Sequence, residues 1–309
     1  MEVSDLVRTN TKKTLADHLS GFGETLKVSW PLSRPVLIDA ENIDHHSTST
    51  YHPIDDITKD AQQSGKSIIP VYSPDYSQNY LIAVQRNCGN GIALRLKLND
   101  YLRGAYHIPT ILRNFNFPPT FIDLIIDLED IKNASIALQQ QVIQMCNNLM
   151  TQANWRNVII SSTCYPSSQA GIPINQIHLH PREEWQLWSS VIQSQSWIKT
   201  PNFSDYPTAA STTASVNPRF MSQTVSIRYS DQNNWIFVKG LPVKGNGWGQ
   251  TQQLCQLLVN STYYFGRNYS WGDEYIDDRA NNINTSGGSK EWRKVAHTHH
   301  LTCTNSDLI

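Results

Sequence analysis

The groups in this sequence best able to do chemistry crowd near its end. Ser270-Trp271-Gly272-Asp273-Glu274-Tyr275-Ile276 is followed by Glu291-Trp292-Arg293 and then by His299-His300-Leu301. A carboxylate and an imidazole are acid–base groups, and an arginine beside them suits phosphodiester hydrolysis. In that reading Asp273 is a metal or base group, with Asp127 from earlier in the chain, and His299 or His300 is the general acid. Asp273 with the two histidines could also hold a divalent metal, because imidazole and carboxylate suit zinc, manganese or iron. Adjacent histidines on a strand point to opposite faces, which sends one to the core and one to the surface. The helical HExxH and HxxxH metal spacings are absent, so the sequence assigns no metal.

Four arginines form a second set. Arg95, Arg182, Arg228 and Arg293 sit in or beside apolar segments. An arginine there is costly unless it is paired or binds an anion. With Asp39, Asp127, Glu183 and Asp273 nearby in the pattern, two readings stay open: an internal salt-bridge network, or a pocket for phosphate or carboxylate. Ser161, at a strand end, lacks a GxSxG elbow and reads as a ligand or backbone contact rather than a nucleophile. Asp127, Glu129 and Asp130 could hold magnesium or cap a loop, and strand alternation puts Asp127 and Glu129 on one face. Trp248, between Gly247 and Gly249, could stack a base or sugar.

These residues need elements to carry them. Pro35–Asp39, Ser67–Tyr72, Ile92–Leu96, Phe121–Asp130 and Asn157–Ser162 read as short, nearly continuous apolar strands. Helical segments around 54–63, 79–86, 100–115 and 135–150 separate them. That alternation marks parallel strands buried on both faces, in a doubly wound sheet or a (β/α) barrel. Asp39, Asp127 and Glu129 fall at strand C-terminal ends, where both architectures place ligands. No GxGxxG or P-loop follows a strand, which favours a TIM-barrel-like fold. Residues 1–34 read as an N-terminal helix and linker, ended by Gly21 and Gly23, and 35–309 as one α/β barrel-like domain.

Beyond residue 165 the rhythm changes. Pro181 opens a helix to about Ile192, and Trp197–Phe203 is a strand candidate. Pro207–Asn217 is a Thr-, Ala- and Ser-rich loop, predicted to be mobile. Val225–Tyr229 and Trp235–Gly240 form a hairpin, and Gln250–Val259 is a helix.

Composition bounds the function. Of 309 residues, 39% are hydrophobic and 17% charged, and the formal net charge is −1. No global basic field exists, so any phosphate binding must be local. No apolar run is long enough for a membrane span, and no signal-peptide core opens the chain. Five scattered cysteines form neither a CxxC pair nor a disulfide framework, which predicts reduced thiols in the cytoplasm.

Several motifs occur in a familiar order: Ile125-Ile126-Asp127-Leu128, Ile159 to Pro166, Arg182-Glu183-Glu184-Trp185, Asp205-Tyr206, Ile227-Arg228-Tyr229-Ser230, Trp235 to Gly240, Gly272 to Ile276, and Trp292-Arg293 with His299-His300. Together they resemble the beta-protein family of phage satellites, prophages and bacterial defence islands. The resemblance implies a barrel-like α/β fold and a role in anti-phage immunity or a toxin-linked system. Family members usually begin with further apolar strands, which implies a barrel open or incomplete on its N-terminal side. An unpaired internal edge exposes backbone donors and acceptors. Leu26-Lys27-Val28, a second copy of the chain or a protein partner from a neighbouring gene could cover it.

The sequence therefore predicts a cytoplasmic, defence-associated barrel protein. Its site would be an Arg/Asp/His pocket for a nucleotide or nucleic-acid end, built from Asp39, Arg95, Arg182, Glu183, Arg228, Arg293 and Ser161 around Asp127, Asp273, His299 and His300. The competing reading is a non-catalytic interaction module.

Overall fold

The structure is a computed structural model that describes residues 14–30, 33–211 and 223–309. The elements run in the order α1 (Leu15–Leu19), α2 (Phe22–Ser29), β1 (Val36–Ile38), α3 (Pro53–Gln63), β2 (Ile68–Tyr72), α4 (Gln78–Asn87), β3 (Ile92–Lys97), α5 (Leu98–Leu102), α6 (Ile108–Leu112), β4 (Ile122–Asp130), α7 (Ile136–Gln152), β5 (Asn157–Thr163), β6 (Ile177–Pro181), α8 (Glu183–Gln193), β7 (Asn202–Asp205), β8 (Thr224–Ser230), β9 (Asn234–Pro242), α9 (Val243–Asn246), α10 (Thr251–Val259), α11 (Trp271–Ala280) and α12 (Ser289–Asp307). A six-stranded sheet has the order β1-β2-β3-β4-β5-β7, and a three-stranded sheet the order β6-β9-β8. The fold is thus mixed α/β with parallel strands, as the alternation predicts, and its six-stranded sheet ends at β1 and β7.

The chain divides into two compact units. The first comprises the described residues up to Asp127, with Gln141–Ile160 and Ser196–Asn202. Its strands β1, β2, β3 and β4 pair in parallel, with Val36 opposite Ile68, Val71 opposite Ala93 and Lys97 opposite Asp127. Strand periodicity sets one face: Leu37, Ile69, Val71, Ala93 and Ile125 make an apolar layer. The next positions on that face are Asp39, Arg95 and Asp127, so the charged layer sits at the strands' C-terminal ends. Helices start where the sequence caps them. In α3 His52 accepts from the Ile54 amide and Pro53 occupies the first turn, where its missing N–H costs nothing.

The second unit comprises Leu128–Gln140, Ser161–Gln195 and the described residues from Phe203 onward. Here β8 and β9 form the expected hairpin, with Ile227 opposite Val238, and β6 adds to it antiparallel. Val225, Ile227, Tyr229, Ile236 and Val238 point into a core with Leu254, Leu258, Ile276, Trp292 and Val295. Helix α12 buries Trp292, Val295, Ala296, His299, His300 and Cys303, a stripe at steps of three and four residues.

Several expectations are corrected. His299 and His300 lie on helix α12 rather than a strand, and both are buried. Leu26-Lys27-Val28 belongs to α2, not to a strand beside β1. Gly21 does end α1, but it also caps α2, where its φ of 76° suits a residue without a side chain. Pro181 closes β6, and the helix after it begins at Glu183. The strand predicted at Trp197–Phe203 forms at Asn202–Asp205. Glu129 has φ 55°, which breaks the alternation that would place it on one face with Asp127. Residues 212–217 of the predicted Pro207–Asn217 loop, and 1–13 of the N-terminal segment, lie outside the described residues.

Candidate functional site

The charged site residues predicted from sequence sort mainly into four groups by what neutralises their charge. In the first unit Arg95 reaches across the charged layer from β3. Its Nη2 lies 2.6 Å from Asp127, and its Nη1 lies 3.1 Å from Asp39 and 3.0 Å from Glu41. Tyr76 donates its hydroxyl to Asp39 at 2.7 Å and accepts from Arg95 at 3.1 Å. Burial first, and then the Asp39 charge, push the Tyr76 hydroxyl far above the ordinary phenol range. Arg95 spends its donors on protein acceptors, and Asp127 is buried against it. This is the salt-bridge reading of an embedded arginine, realised at the strand ends.

In the second unit two further networks are centred on buried groups, Asp273 with His299 and Arg182 with His300. Asp273 accepts from Tyr229 at 2.5 Å and from Ser270 at 2.6 Å, and its second oxygen lies 2.9 Å from His299 Nδ1. His299 Nε2 lies 2.7 Å from the Ser230 carbonyl. Both ring nitrogens of His299 thus face protein oxygens, one on Asp273 and one on the Ser230 carbonyl. The Tyr229 ring stacks on that imidazole at 3.4 Å. The close approach of α11 to α12 rests on Gly272, where a Cβ would come within 2.5 Å of the Val295 carbonyl oxygen. Neither Asp273 nor His299 exposes any surface.

Arg182 anchors the other network. It donates to Glu184 at 3.3 Å, to the Asp231 carbonyl at 3.0 Å and to Asp205 at 3.4 Å. His300 bonds Asp205 at 2.8 Å and the Ser230 hydroxyl at 3.0 Å, and stacks on Trp235. Glu184 also receives Trp235 Nε1 at 3.1 Å and the Cys164 thiol at 2.6 Å. Burial and the Glu184 charge push that thiol well up, so Cys164 is inert as a nucleophile. Glu183 accepts the Ala134 amide at 2.8 Å, and Ser161 is buried in β5.

Arg228 and Arg293 differ from all of these. Among the described residues neither has a carboxylate partner or a hydrogen bond, and the Arg228 guanidinium lies 6.0 Å from the Tyr165 ring. They line one cavity of about 60 Å³. The alternation of β8 sends Val225, Ile227 and Tyr229 inward and leaves Thr224, Ser226 and Arg228 for the cavity. Ser289 brings the first turn of α12, whose positive dipole end favours an anion. Trp248 and Trp292 supply aromatic walls, and Gln223 an amide. The Ser226 hydroxyl is buried with no partner among the described residues.

The cavity is small against the roughly 300 Å³ of a small-molecule site, so it fits one oxyanion group rather than a whole nucleotide. It opens beside a groove of about 480 Å³ that shares Ser289 and Arg293 and adds Lys290, Lys294, His297 and Thr298. Burial, followed by the charges of Arg293, His300 and Arg228, lowers the His297 pKa, while a hydrogen bond with the Pro207 carbonyl opposes that shift.

Within each unit, the residues of the Arg/Asp/His pocket predicted from sequence pair off separately. Asp273 meets His299, Arg182 meets His300 through Asp205, Arg95 meets Asp39 and Asp127, and Arg228 meets Arg293. No group of three or more His, Cys, Asp or Glu is placed to hold a metal ion among the described residues. Ser226, Lys290, Lys294 and His297 were not singled out in the sequence. The signal for the last three was there: with Arg293 they fall at 290, 293, 294 and 297, one helix face.

A model of the family described as Beta protein matches residues 2–304, nearly the whole chain. A search of curated proteins and a search of solved structures each found no match. No described helix is long and apolar enough to cross a membrane.

Proposed function

The chain belongs to the Beta protein family, and from that premise we propose that it binds a phosphate-bearing ligand at the Arg228–Arg293 cavity in the service of anti-phage defence. One observation carries this reading: two guanidinium groups face one cavity with no carboxylate partner among the described residues. Two like charges facing one cavity without a counter-charge repel each other, and an anion relieves that repulsion. The first turn of α12, which reaches the cavity at Ser289, adds its positive dipole end to the same place. The ligand would be a nucleotide or a nucleic-acid end, its phosphate in the cavity and the rest outside.

Binding without turnover is the form the geometry favours. The acid–base pair predicted for hydrolysis, Asp273 and His299, is enclosed and spends its donors and acceptors on the protein. We place the protein in the cytoplasm, where its five free cysteines would stay reduced. We further read the six-stranded sheet as part of an open (β/α) barrel, with β1 an edge that a second copy or a protein partner could cover.

The test is titration of tryptophan fluorescence, since Trp248 and Trp292 wall the cavity. Adenosine 5′-monophosphate should bind and adenosine should not. Arg228→Gln and Arg293→Gln should each weaken binding by about ten-fold or more, the scale of a lost charge-assisted hydrogen bond. Binding of the nucleotide unchanged in both variants would remove the proposal.

A further inference from the structure

The cavity takes one oxyanion, but the cationic surface does not stop there. On α12 the groups Lys290, Arg293, Lys294 and His297 fall on one face, opposite the buried stripe of Trp292, Val295, Ala296 and His299. At about 1.5 Å of rise per residue they span about 10 Å, more than a single phosphate group covers. The one acidic residue within this stretch, Glu291, is turned to the Gly288 amide at 2.9 Å as a helix cap. None of Lys290, Arg293 and Lys294 has a carboxylate partner among the described residues. Next to this face Trp271, at the start of α11, keeps 41% of its surface exposed. The Lys294 ammonium lies 4.4 Å from its ring centre.

Cations in a row beside an exposed aromatic face are the two parts of a single-strand platform: charges that track a backbone and a ring on which a base stacks. Resting on the phosphate reading of the cavity, we infer that the ligand is a single nucleic-acid strand with a terminal phosphate. The end phosphate sits between Arg228 and Arg293. The next backbone phosphates run along Lys290 and Lys294 in the groove, and a base rests on Trp271. A global net charge of −1 does not oppose this, because the cations are concentrated on one face.

The decisive experiment compares probes by fluorescence anisotropy on the full chain: a 5′-phosphorylated DNA octamer labelled at its 3′ end, the same octamer without the phosphate, and unlabelled competitors. Inorganic phosphate, adenosine 5′-monophosphate and inorganic polyphosphate are the competitors. The phosphorylated octamer should bind more tightly than the mononucleotide by ten-fold or more. Each neutralised strand phosphate contributes about −0.7 to the slope of log affinity against log salt, so Lys290→Gln with Lys294→Gln should flatten that slope by about 1.4. Trp271→Ala should weaken the octamer about five-fold or more, in line with one lost stacking contact, and leave the mononucleotide unchanged.

A mononucleotide that binds as well as the octamer, with the double lysine variant silent, would overturn the strand inference and keep the phosphate cavity. Polyphosphate that matches the octamer, with Trp271→Ala silent, would also overturn it, because the base would then contribute nothing. If no probe binds, or if Arg228→Gln and Arg293→Gln change nothing, the cavity reading fails and the inference with it.

Discussion

Arg182 and Arg228 sit in the same unit, each beside an aromatic ring, yet they do different work. Arg182 is fully enclosed and surrounded by Glu184, Asp205 and the Asp231 carbonyl. Arg228 is half-buried, lies 6.0 Å from the Tyr165 ring centre and has no acid beside it among the described residues. The two differ in burial and in the supply of carboxylate, and we propose that the carboxylate supply is what separates a structural arginine from a binding one. Arg95 in the other unit confirms the rule from a third setting, with three carboxylates on one guanidinium at the ends of parallel strands.

The comparison is broken most sharply at Arg182. Its replacement by Met should cost about 3–5 kcal/mol, the scale of a buried charge left without its partner. Glu184 and Asp205 would keep their burial and lose the guanidinium between them. Urea denaturation of the full chain should give a much lower midpoint with little change in slope. A shift under about 1 kcal/mol, the scale of an exposed pair, would mean that the network is only a surface device.

Much of the fold could be read from the sequence, and much of the site could not, for physical reasons that differ. β2 is buried along its whole length and apolar throughout, and in β3 and β4 the runs Ile92-Ala93-Leu94 and Leu124-Ile125-Ile126 stay visible between charged residues such as Arg95, Asp123 and Asp127. Helix α12 is built from Lys, Glu, Arg, His and Thr around a narrow apolar stripe, and its buried polar residues hid it. His299 and His300 looked like site residues because they are polar. They are polar because each answers a buried carboxylate, Asp273 and Asp205. The arginine set was legible as a question. Spacing could show that four arginines needed partners, but only the fold could show which two have no carboxylate beside them among the described residues.

A smaller effect tests the basic side of the comparison through pH. Burial, with Arg293, His300 and Arg228 around it, lowers the His297 pKa from its ordinary 6.5. Lys290 and Lys294 share its groove, and the Pro207 carbonyl is the one partner that opposes the shift. In the unfolded chain His297 takes its proton near pH 6.5, earlier than in the folded one. The stability it contributes is therefore fully present above 6.5 and falls away as the pH drops below it toward the folded value. His297→Gln should flatten stability across that window. A bound phosphate reverses the sign for affinity, because it favours the protonated ring, so binding should tighten as the pH falls through the same range. Affinity that is flat from pH 7.5 to about 5.5, where a free histidine titrates, would detach His297 from the ligand.

The smallest effect is the most informative about the contrast. Arg228→Gln and Arg293→Gln remove charges that no carboxylate among the described residues holds, so folding should lose less than about 0.5 kcal/mol, the range of a substitution away from packed or paired features. At low ionic strength the double variant should even gain slightly, because it also removes repulsion with Lys290 and Lys294, and added salt should abolish that gain. Stability unchanged and binding lost is the signature of residues kept for a ligand; the reverse pattern belongs to Arg182. An Arg228 variant that loses stability on the scale of Arg182 would make it a structural arginine and end the contrast.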